Sequence, residues 1–349
     1  MVIFLCFVLT GAVQAEGYTW TDNSDGTCTI TGCWGTGDIT IPDTLGGLTV
    51  TAIAGSACAQ SYSLTGLTIP YTVINIEQGA FSPSGLIDIT VVPANPSYSS
   101  LDGVLFNKDR TELIQCPAGK AGGYTIPNGV TTIGDFSFYY CFDLTATLTI
   151  PDSVTTIGDF AFFYCSGLTG LTIGNSVTTI GNFTFQRCEG LTTLTIGNSV
   201  MDIGDNAFAF CDGLTCVIIP DSVTTIGYRG FYDCDSLFDI YFKGDPPSFG
   251  TEAFRYVNAT AYYLPPRDTE WGATYGGLPT AVWPLSIADV DMDGDVNLWD
   301  FAAFAAAWQA VNGQPEYDPL CDISDPIDGV IDIMDLKVFS DHWLITPCQ

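Results

Sequence analysis

The sequence predicts a mainly β solenoid of short coils, closed by a cap at each end and followed by a small helical module. Three observations carry that reading. A 23-residue segment recurs, the same residue types return at fixed places within it, and composition changes abruptly near residue 287. The repeat is plainest as IPDSVTTIGDFAFFYCSGLTGLT from Ile150 and IGNSVTTIGNFTFQRCEGLTTLT from Ile173. IGNSVMDIGDNAFAFCDGLTCVI follows from Ile196 and IPDSVTTIGYRGFYDCDSLFDIY from Ile219. Gly134, Gly158, Gly181, Gly204 and Gly227 are equivalent, as are Cys141, Cys165, Cys188, Cys211 and Cys234. A period in the twenties marks a solenoid, in which each coil buries its apolar face only against its neighbours.

Residues 2–13 are apolar, and Val13-Gln14-Ala15 fits a small-x-small cleavage site. Residues 1–15 therefore read as a secretory signal cut after Ala15, although no Lys or Arg precedes the apolar run. The run is shorter than the roughly 20 residues a membrane span needs, and no other stretch is long enough. A secreted or cell-surface protein is expected, with no membrane span in the mature chain.

Residues 17–45 alternate apolar or β-branched residues with polar ones and are punctuated by Gly and Asp. They predict a β meander capping the first coil. Two degenerate repeats follow, Ile53 to Ile69 and Ile69 to Ile89, with Ser61 where later repeats carry Cys. Residues 92–125 break the period. Val104–Phe106, a turn over Asn107–Arg110 and Glu112–Cys116 predict an inserted hairpin, after which the repeat resumes at Ile126. Insertions in solenoids tend to lie on one face, often the binding face.

Within a repeat, Leu168-x-x-Leu171-x-Ile173 places alternate side chains inward, as on a strand. Val177-x-x-Ile180-Gly181 supplies a second extended piece, with Gly181 at a bend that a Cβ would obstruct. Phe160 and Phe162, then Phe183 and Phe185, are expected to fill the wide part of each coil. The cysteine column reads as free, packed thiols behaving as small hydrophobes. Stacked equivalent positions rarely supply disulfide geometry. Of thirteen cysteines in all, Cys28 with Cys33, bracketing a turn, and Cys321 with Cys348 are the disulfide candidates.

The chain carries 39 acidic against 9 basic residues, a formal charge of -30. That excludes a nucleic-acid binder, which needs a basic surface, and disfavours docking to anionic lipid. In the array the surplus carboxylates can equally serve solubility. Outward strand positions give the stripe Thr149, Thr172, Thr195, Ile218 and Tyr241. Threonine ladders also simply stabilise a solvated sheet. Ile218 and Tyr241 are the better contact candidates, so Thr172, Thr195, Ile218 and Tyr241 form the candidate ligand surface.

The recurrent SVTTIG-x-x-x-F-x-x-C-x-x-LT-x-LTI resembles the BspA-like leucine-rich repeat of bacterial surface proteins. The hairpin segment NPSYSSLDGVLFNKDRTELIQCPAGK and residues 241–283 are similar to that family's embedded hairpin and closing cap. The resemblance covers residues 17–283. It implies a right-handed stack of short strands, exposed outside the cell, engaged in adhesion or in binding macromolecules, with no catalytic residues and no fixed ligand.

From residue 287 the acidic residues cluster. Asp289, Asp291, Asp293, Asp295, Asn297 and Asp300 stand at positions 1, 3, 5, 7, 9 and 12 of a loop, with Gly294 at position 6. That is EF-hand-type spacing, in which a hard cation collects six to eight oxygens and position 7 gives its backbone carbonyl. Without an ion these carboxylates would repel one another. A second cluster, aligned on Gly329, gives Asp328, Val330, Asp332 and Asp335 as positions 5, 7, 9 and 12. Its front is longer, so Asp322 and Ser324 or Asp325 must reach the ion differently.

Each loop precedes a helical pattern with one aromatic face: Phe301, Phe304 and Trp308, then Phe339 and Trp343. Residues 287–346 thereby resemble a type I dockerin. The resemblance implies two Ca²⁺ sites and a cohesin-like partner protein; the alternative is a calcium module that only stabilises the C-terminus. The single histidine, His342, lies in this module. No nucleophile elbow, phosphate-binding loop or zinc spacing occurs in the sequence, and no enzyme is expected. The expected function is a recognition scaffold that binds a protein or glycan through its array and a cohesin-like partner through its tail. A structural envelope protein, or a glycan-binding accessory subunit of a polysaccharide-degrading complex, stand as alternatives.

Overall fold

The computed structural model describes residues 17–264 and 270–283. Among them there is no helix, and the architecture is a solenoid with three faces. One face carries the longer strands. Thr147–Ile150, Gly170–Ile173 and Thr193–Thr195 pair in parallel, with Leu148 beside Leu171 and Leu171 beside Leu194. Cys216–Ile219, Asp239–Phe242, Thr260–Tyr263 and Leu278–Val282 continue the same arrangement. The second face is a ladder of two-residue strands, among them Thr156–Ile157, Thr179–Ile180, Asp202–Ile203 and Thr225–Ile226.

The third face is built of turns, and its backbone is paired from coil to coil as well. The N–H groups of Phe160, Phe162 and Tyr164 donate to the carbonyls of Asn182, Thr184 and Gln186 at 2.9, 2.8 and 2.8 Å. This satisfies backbone groups that a buried turn would otherwise leave unpaired.

The core is a set of columns, one residue per coil. Phe138, Phe162, Phe185, Phe208 and Phe231 are fully buried. Their rings stack at centroid distances of 4.5, 5.1, 5.3 and 5.2 Å. The cysteine column consists of buried free thiols, as the sequence indicated. They do more than fill space. Four of the five donate their S–H to the phenylalanine carbonyl of the preceding coil: Cys165 to Phe138 at 3.0 Å, Cys188 to Phe162 at 3.4 Å, Cys211 to Phe185 at 3.3 Å and Cys234 to Phe208 at 3.1 Å; Cys141, beside the hairpin, is turned to the Pro117 carbonyl at 3.6 Å. In the first repeat Ser61 makes the equivalent bond, its hydroxyl 2.7 Å from the Cys33 carbonyl.

The glycine column is explained by close approach. A Cβ on Gly204 would lie 2.7 Å from the Gly181 carbonyl oxygen and 2.8 Å from its carbon, contacts that only coil separation could relieve. Beside it runs an Asp/Asn ladder. The carboxylate of Asp135 accepts from the N–H of Asp159, Asp159 from Asn182, Asn182 from Asp205 and Asp205 from Tyr228, at 2.7–2.9 Å. Side-chain oxygens thus bridge coils where the backbone has no sheet partner.

Three expectations need correction. Cys28 and Cys33 do not bracket a turn and are not bonded to each other: both lie on the strand Thr27–Trp34. Five residues of extended chain hold them about 16 Å apart, beyond the reach of a disulfide. Cys33 instead pairs with Cys58, Cα to Cα 4.8 Å, and Cys28 is a free thiol. Second, Phe160 and Phe183 do not fill the coil; they are half-buried on the turn face, and only Phe162 and Phe185 point inward. Third, the N-terminal segment is only partly a meander. Gly17–Asp22 and Thr27–Trp34 are antiparallel, but Gly37–Thr40 joins the sheet of Leu64–Ile69 and Asp88–Val91.

The inserted hairpin forms as expected, Val104–Asn107 against Glu112–Gln115, and gains a third strand, Tyr98–Leu101. Its last strand pairs in parallel with Thr132–Ile133, so the insertion seeds the two-residue ladder instead of hanging off the array.

Candidate ligand surface

Each coil bends the turn face through two residues in the left-handed region. One column is Phe136, Phe160, Phe183, Asn206 and Arg229, with φ between 54° and 59°. The other is Tyr140, Tyr164, Arg187, Phe210, Asp233 and Tyr256, with φ between 55° and 64°. Bulky residues rarely adopt this conformation. Its repetition at coil spacing means that the inter-coil hydrogen bonds and ring stacking together hold it. The effect is to stand large side chains on the outside of the solenoid.

Those side chains form an aromatic surface. Phe136, Phe160 and Phe183 stack at 5.1 and 4.6 Å with rings 4° from parallel. Tyr139 stacks on Phe163 at 5.1 Å, and Tyr140 lies 5.0 Å from Tyr164. All these rings are half-buried.

Three arginines continue the surface toward the C-terminal end. The Arg187 guanidinium lies over Phe210 at 4.7 Å and Tyr164 at 5.9 Å, bridging the rings of the coils on either side. Arg229 lies over Tyr228 and Tyr232 at 4.8 and 4.5 Å, and Arg255 over Tyr256 at 4.8 Å. Glu252 binds both Arg229 and Arg255, and these hydrogen bonds hold its carboxyl below the usual range. In a chain with so few basic residues, three arginines placed over aromatic rings of one face are a concentration of cation–π contacts. Arg187 and Arg255 keep 44% and 50% of their side-chain surface exposed.

The residues singled out from the sequence lie on the opposite, stranded face. Thr172, Thr195, Ile218 and Tyr241 do share a stripe: Thr172 pairs with Thr195, and Ile218 with Tyr241. Thr195 is exposed and Thr172 and Ile218 half-buried. Tyr241 is only 8% exposed, stacked on Tyr262 at 4.8 Å and covered by Trp283 at 4.7 Å. It outward position in the strand is right, but the chain's own closing segment covers it. Burial pushes its phenol up to about 12.

The turn-face residues escaped the sequence reading because the run FSFYY or FAFFY looks like core throughout. The legible signal is alternation, Phe-x-Phe, which puts the two phenylalanines of each coil in different environments.

A cleft of about 180 Å³ lies where the hairpin meets the array, lined in part by Glu77, Gln78, Glu112 and Asp135. No group of acidic, Cys or His residues able to hold a metal occurs among the described residues. The proposed calcium ligands, Asp289 to Asp335, and the candidate pair Cys321 and Cys348 lie outside the described residues. No described helix is long and apolar enough to cross a membrane.

The coil just described is matched by a family model, the BspA type leucine rich repeat region, in six copies over residues 29–119 and 131–261. The chain belongs to this family. The first matched stretch runs through the strands of the hairpin insertion, and the second ends within the strand Thr260–Tyr263. A search of curated proteins found no match. Among solved structures, the chain is similar to the pneumococcal vaccine antigen PcpA, at 20% identity and a TM-score of 0.49, over 69% of this chain and 61% of that one. It thus spans about three fifths of the pneumococcal chain. It is also similar to a leucine-rich repeat protein of Eubacterium ventriosum, at 20% identity and a TM-score of 0.46, over 74% of this chain and 96% of that one. A third is a leucine rich cell surface protein of Faecalibacterium prausnitzii, at 23% identity and a TM-score of 0.40, over 69% and 96%. The BspA-type assignment rests on the family model and on the coil geometry.

Proposed function

We propose that this BspA-type protein is a secreted or cell-surface recognition scaffold whose turn face binds a macromolecular partner. The observation that carries the reading is the ladder of half-exposed aromatic rings and ring-stacked arginines running from Phe136 to Tyr256. Tyr, Phe and Arg are the residue types that dominate binding energy at interfaces. Here they are held rigid before any partner arrives, which lowers the entropic cost of association. The stranded face offers threonines, whose cross-strand contacts are sufficient reason for their presence.

The test compares the full chain with a Tyr164→Ala/Arg187→Ala variant and a Thr172→Ala/Thr195→Ala variant. Each is immobilised and offered the source organism's secreted and envelope proteins and, separately, a glycan array. Capture is expected to fall about tenfold for the turn-face variant, the loss of a modest hot spot, and to be unchanged for the threonine variant. Signal on the glycan array alone would move the protein to the accessory-subunit reading. Equal capture by all three would remove the turn face from the proposal.

We further propose that residues 287–346 act as a calcium-dependent docking module for a cohesin-like partner. The support is sequence spacing: oxygen donors at Asp289, Asp291, Asp293, Asn297 and Asp300 with Gly294 between them. Calcium should raise the thermal midpoint of the full chain's C-terminal transition, and Asp293→Ala/Asp300→Ala should abolish most of that rise. A partner retained with calcium and released by EDTA supports docking. A calcium-dependent midpoint with no partner captured leaves only the stabilising role.

A further inference from the structure

The inserted hairpin takes the place of one rung of the array, and on the turn face it does so incompletely. Leu113 pairs with Ile133, and the N–H of Cys116 donates to the Ser137 carbonyl at 2.6 Å, as that of Phe138 does to the Ala161 carbonyl one coil later. Leu113 and Cys116 thus hold the places of Ile133 and Phe138. Residues 134–137 lie between the latter pair, but only Ile114 and Gln115 lie between the former. The hairpin rung therefore lacks the outward bulge that carries Phe136, and the cleft of about 180 Å³ is lined from both sides of that gap. A Cβ on Gly79, one of its lining residues, would meet the Phe136 ring at 3.9 Å, which puts the cleft beside the first ring of the aromatic ladder.

The cleft is acidic and short of donors. Glu77 accepts from the Gly55 N–H at 2.7 Å, and Asp135 accepts from the Asp159 N–H at 2.9 Å and from Gln78 Nε2 at 2.8 Å. The carboxylate of half-buried Glu112 accepts from no described group. Gln115, only 2% exposed, also lines the cleft. Its Nε2 donates to Ser82 Oγ at 2.7 Å and to the Cys116 carbonyl at 2.9 Å, while its Oε1 accepts from no described group. No Lys or Arg lines the space, and Lys108 and Arg110 of the same hairpin donate to the carbonyls of Asn95 and Ser100. Acceptors withdrawn from water without donors are costly, and three carboxylates around one space favour a positive guest. These carboxylates do not form a group that could hold a metal ion. The guest that fits is an organic cation with several N–H donors.

We propose that this cleft receives the guanidinium of an arginine side chain presented by a protein partner of the turn face. The source of the side chain rests on the turn-face reading; its chemistry rests on the cleft alone. A guanidinium carries more N–H donors than an ammonium and holds them in a planar fork, so it can serve the Glu112 carboxylate and Gln115 Oε1 together. The chain already uses this pairing on its own turn face, where Glu252 binds Arg229 and Arg255 and both guanidinium groups lie over aromatic rings. The formal charge of -30 draws a basic partner to the surface, and the cleft then fixes one of its arginines in register.

The test is saturation-transfer NMR on the full chain in about 0.15 M salt, which screens its diffuse surface charge. The probe is N-acetyl-arginine methylamide, set against its neutral citrulline analogue, its lysine analogue and free L-arginine. Transfer to the arginine probe is expected, with little to citrulline, and it should fall about threefold in Glu112→Gln. Asp109→Asn, the same loss of charge at an exposed position on the turn of the same hairpin, should leave it unchanged. Transfer to citrulline or lysine equal to that of arginine overturns the guanidinium site. So does an unchanged signal in Glu112→Gln, which marks adventitious surface binding only. A stronger signal from free L-arginine than from the blocked residue overturns the side-chain source. No partner enters this assay, so failure of the cleft shows here and failure of the turn-face interface shows in the capture experiment.

Discussion

Replacing Phe185 by alanine is expected to destabilise the array by about 3–5 kcal/mol, the range for removing a large aromatic side chain from a core. Phe185 is fully buried between Phe162 at 5.1 Å and Phe208 at 5.3 Å, so the cavity opens in the middle of a column and neither neighbour can close it without shifting its own coil. Because coils are stabilised mainly by their nearest neighbours, the loss falls on two interfaces at once. Urea denaturation followed by far-UV circular dichroism should show a lower midpoint and a broader transition. The matched control is Phe183→Ala, two residues away on the half-exposed outer column, with an expected cost of about 1 kcal/mol. Equal losses at the two positions would mean that the outer rings carry as much of the packing as the inner ones.

Raising the pH should unfold the array through its thiols. Burial pushes the Cys188 and Cys234 thiols from an ordinary 9.0 up to about 12, and raises those of Cys141, Cys165 and Cys211 as well. Unfolded thiols ionise near 9 while the folded ones keep their protons, so between these values the unfolded state binds fewer protons. Stability is therefore fully present below pH 9 and falls as pH rises toward 12. Each buried thiol contributes a slope of about 1.4 kcal/mol per pH unit. The urea midpoint should fall steeply between pH 9 and 11, with thiol labelling appearing together with loss of the β signal and not ahead of it. Cys188→Ser keeps a donor for the Phe162 carbonyl, as Ser61 does for Cys33 at 2.7 Å, and removes one titrating group. Its pH slope should be shallower. Labelling of native protein at pH 8 would show that the column is accessible to solvent.

The cysteine column illustrates how far sequence reasoning reached. Its period placed the five thiols in one column and its setting made them buried. The bond that four of them make to the phenylalanine carbonyl of the coil before depends on the axial offset between coils, which no single repeat contains. The error over Cys28 and Cys33 has the same root. Sequence proximity suggested a turn, but the pairing of Cys33 with Cys58 is decided by which coil lies beside which strand.

What the sequence determined alone is everything periodic: the solenoid, the inward Leu, Ile and Phe columns, the glycine at each close approach, the hairpin, and the acidic composition of the tail. Periodicity survives in sequence because every coil solves the same packing problem against an identical neighbour. Only the tertiary structure decided which aromatic of each coil faces solvent. Phe160 and Phe183 carry the same side chain as Phe162 and Phe185 and are turned outward by a left-handed backbone that aromatic residues do not favour on their own. The tertiary structure also decided that Tyr241, outward by strand alternation, is covered by Trp283. Both outcomes depend on contacts between segments distant in the chain: the Phe-x-Phe alternation separates the two rings of a coil, but which of them faces out is set by the neighbouring coils.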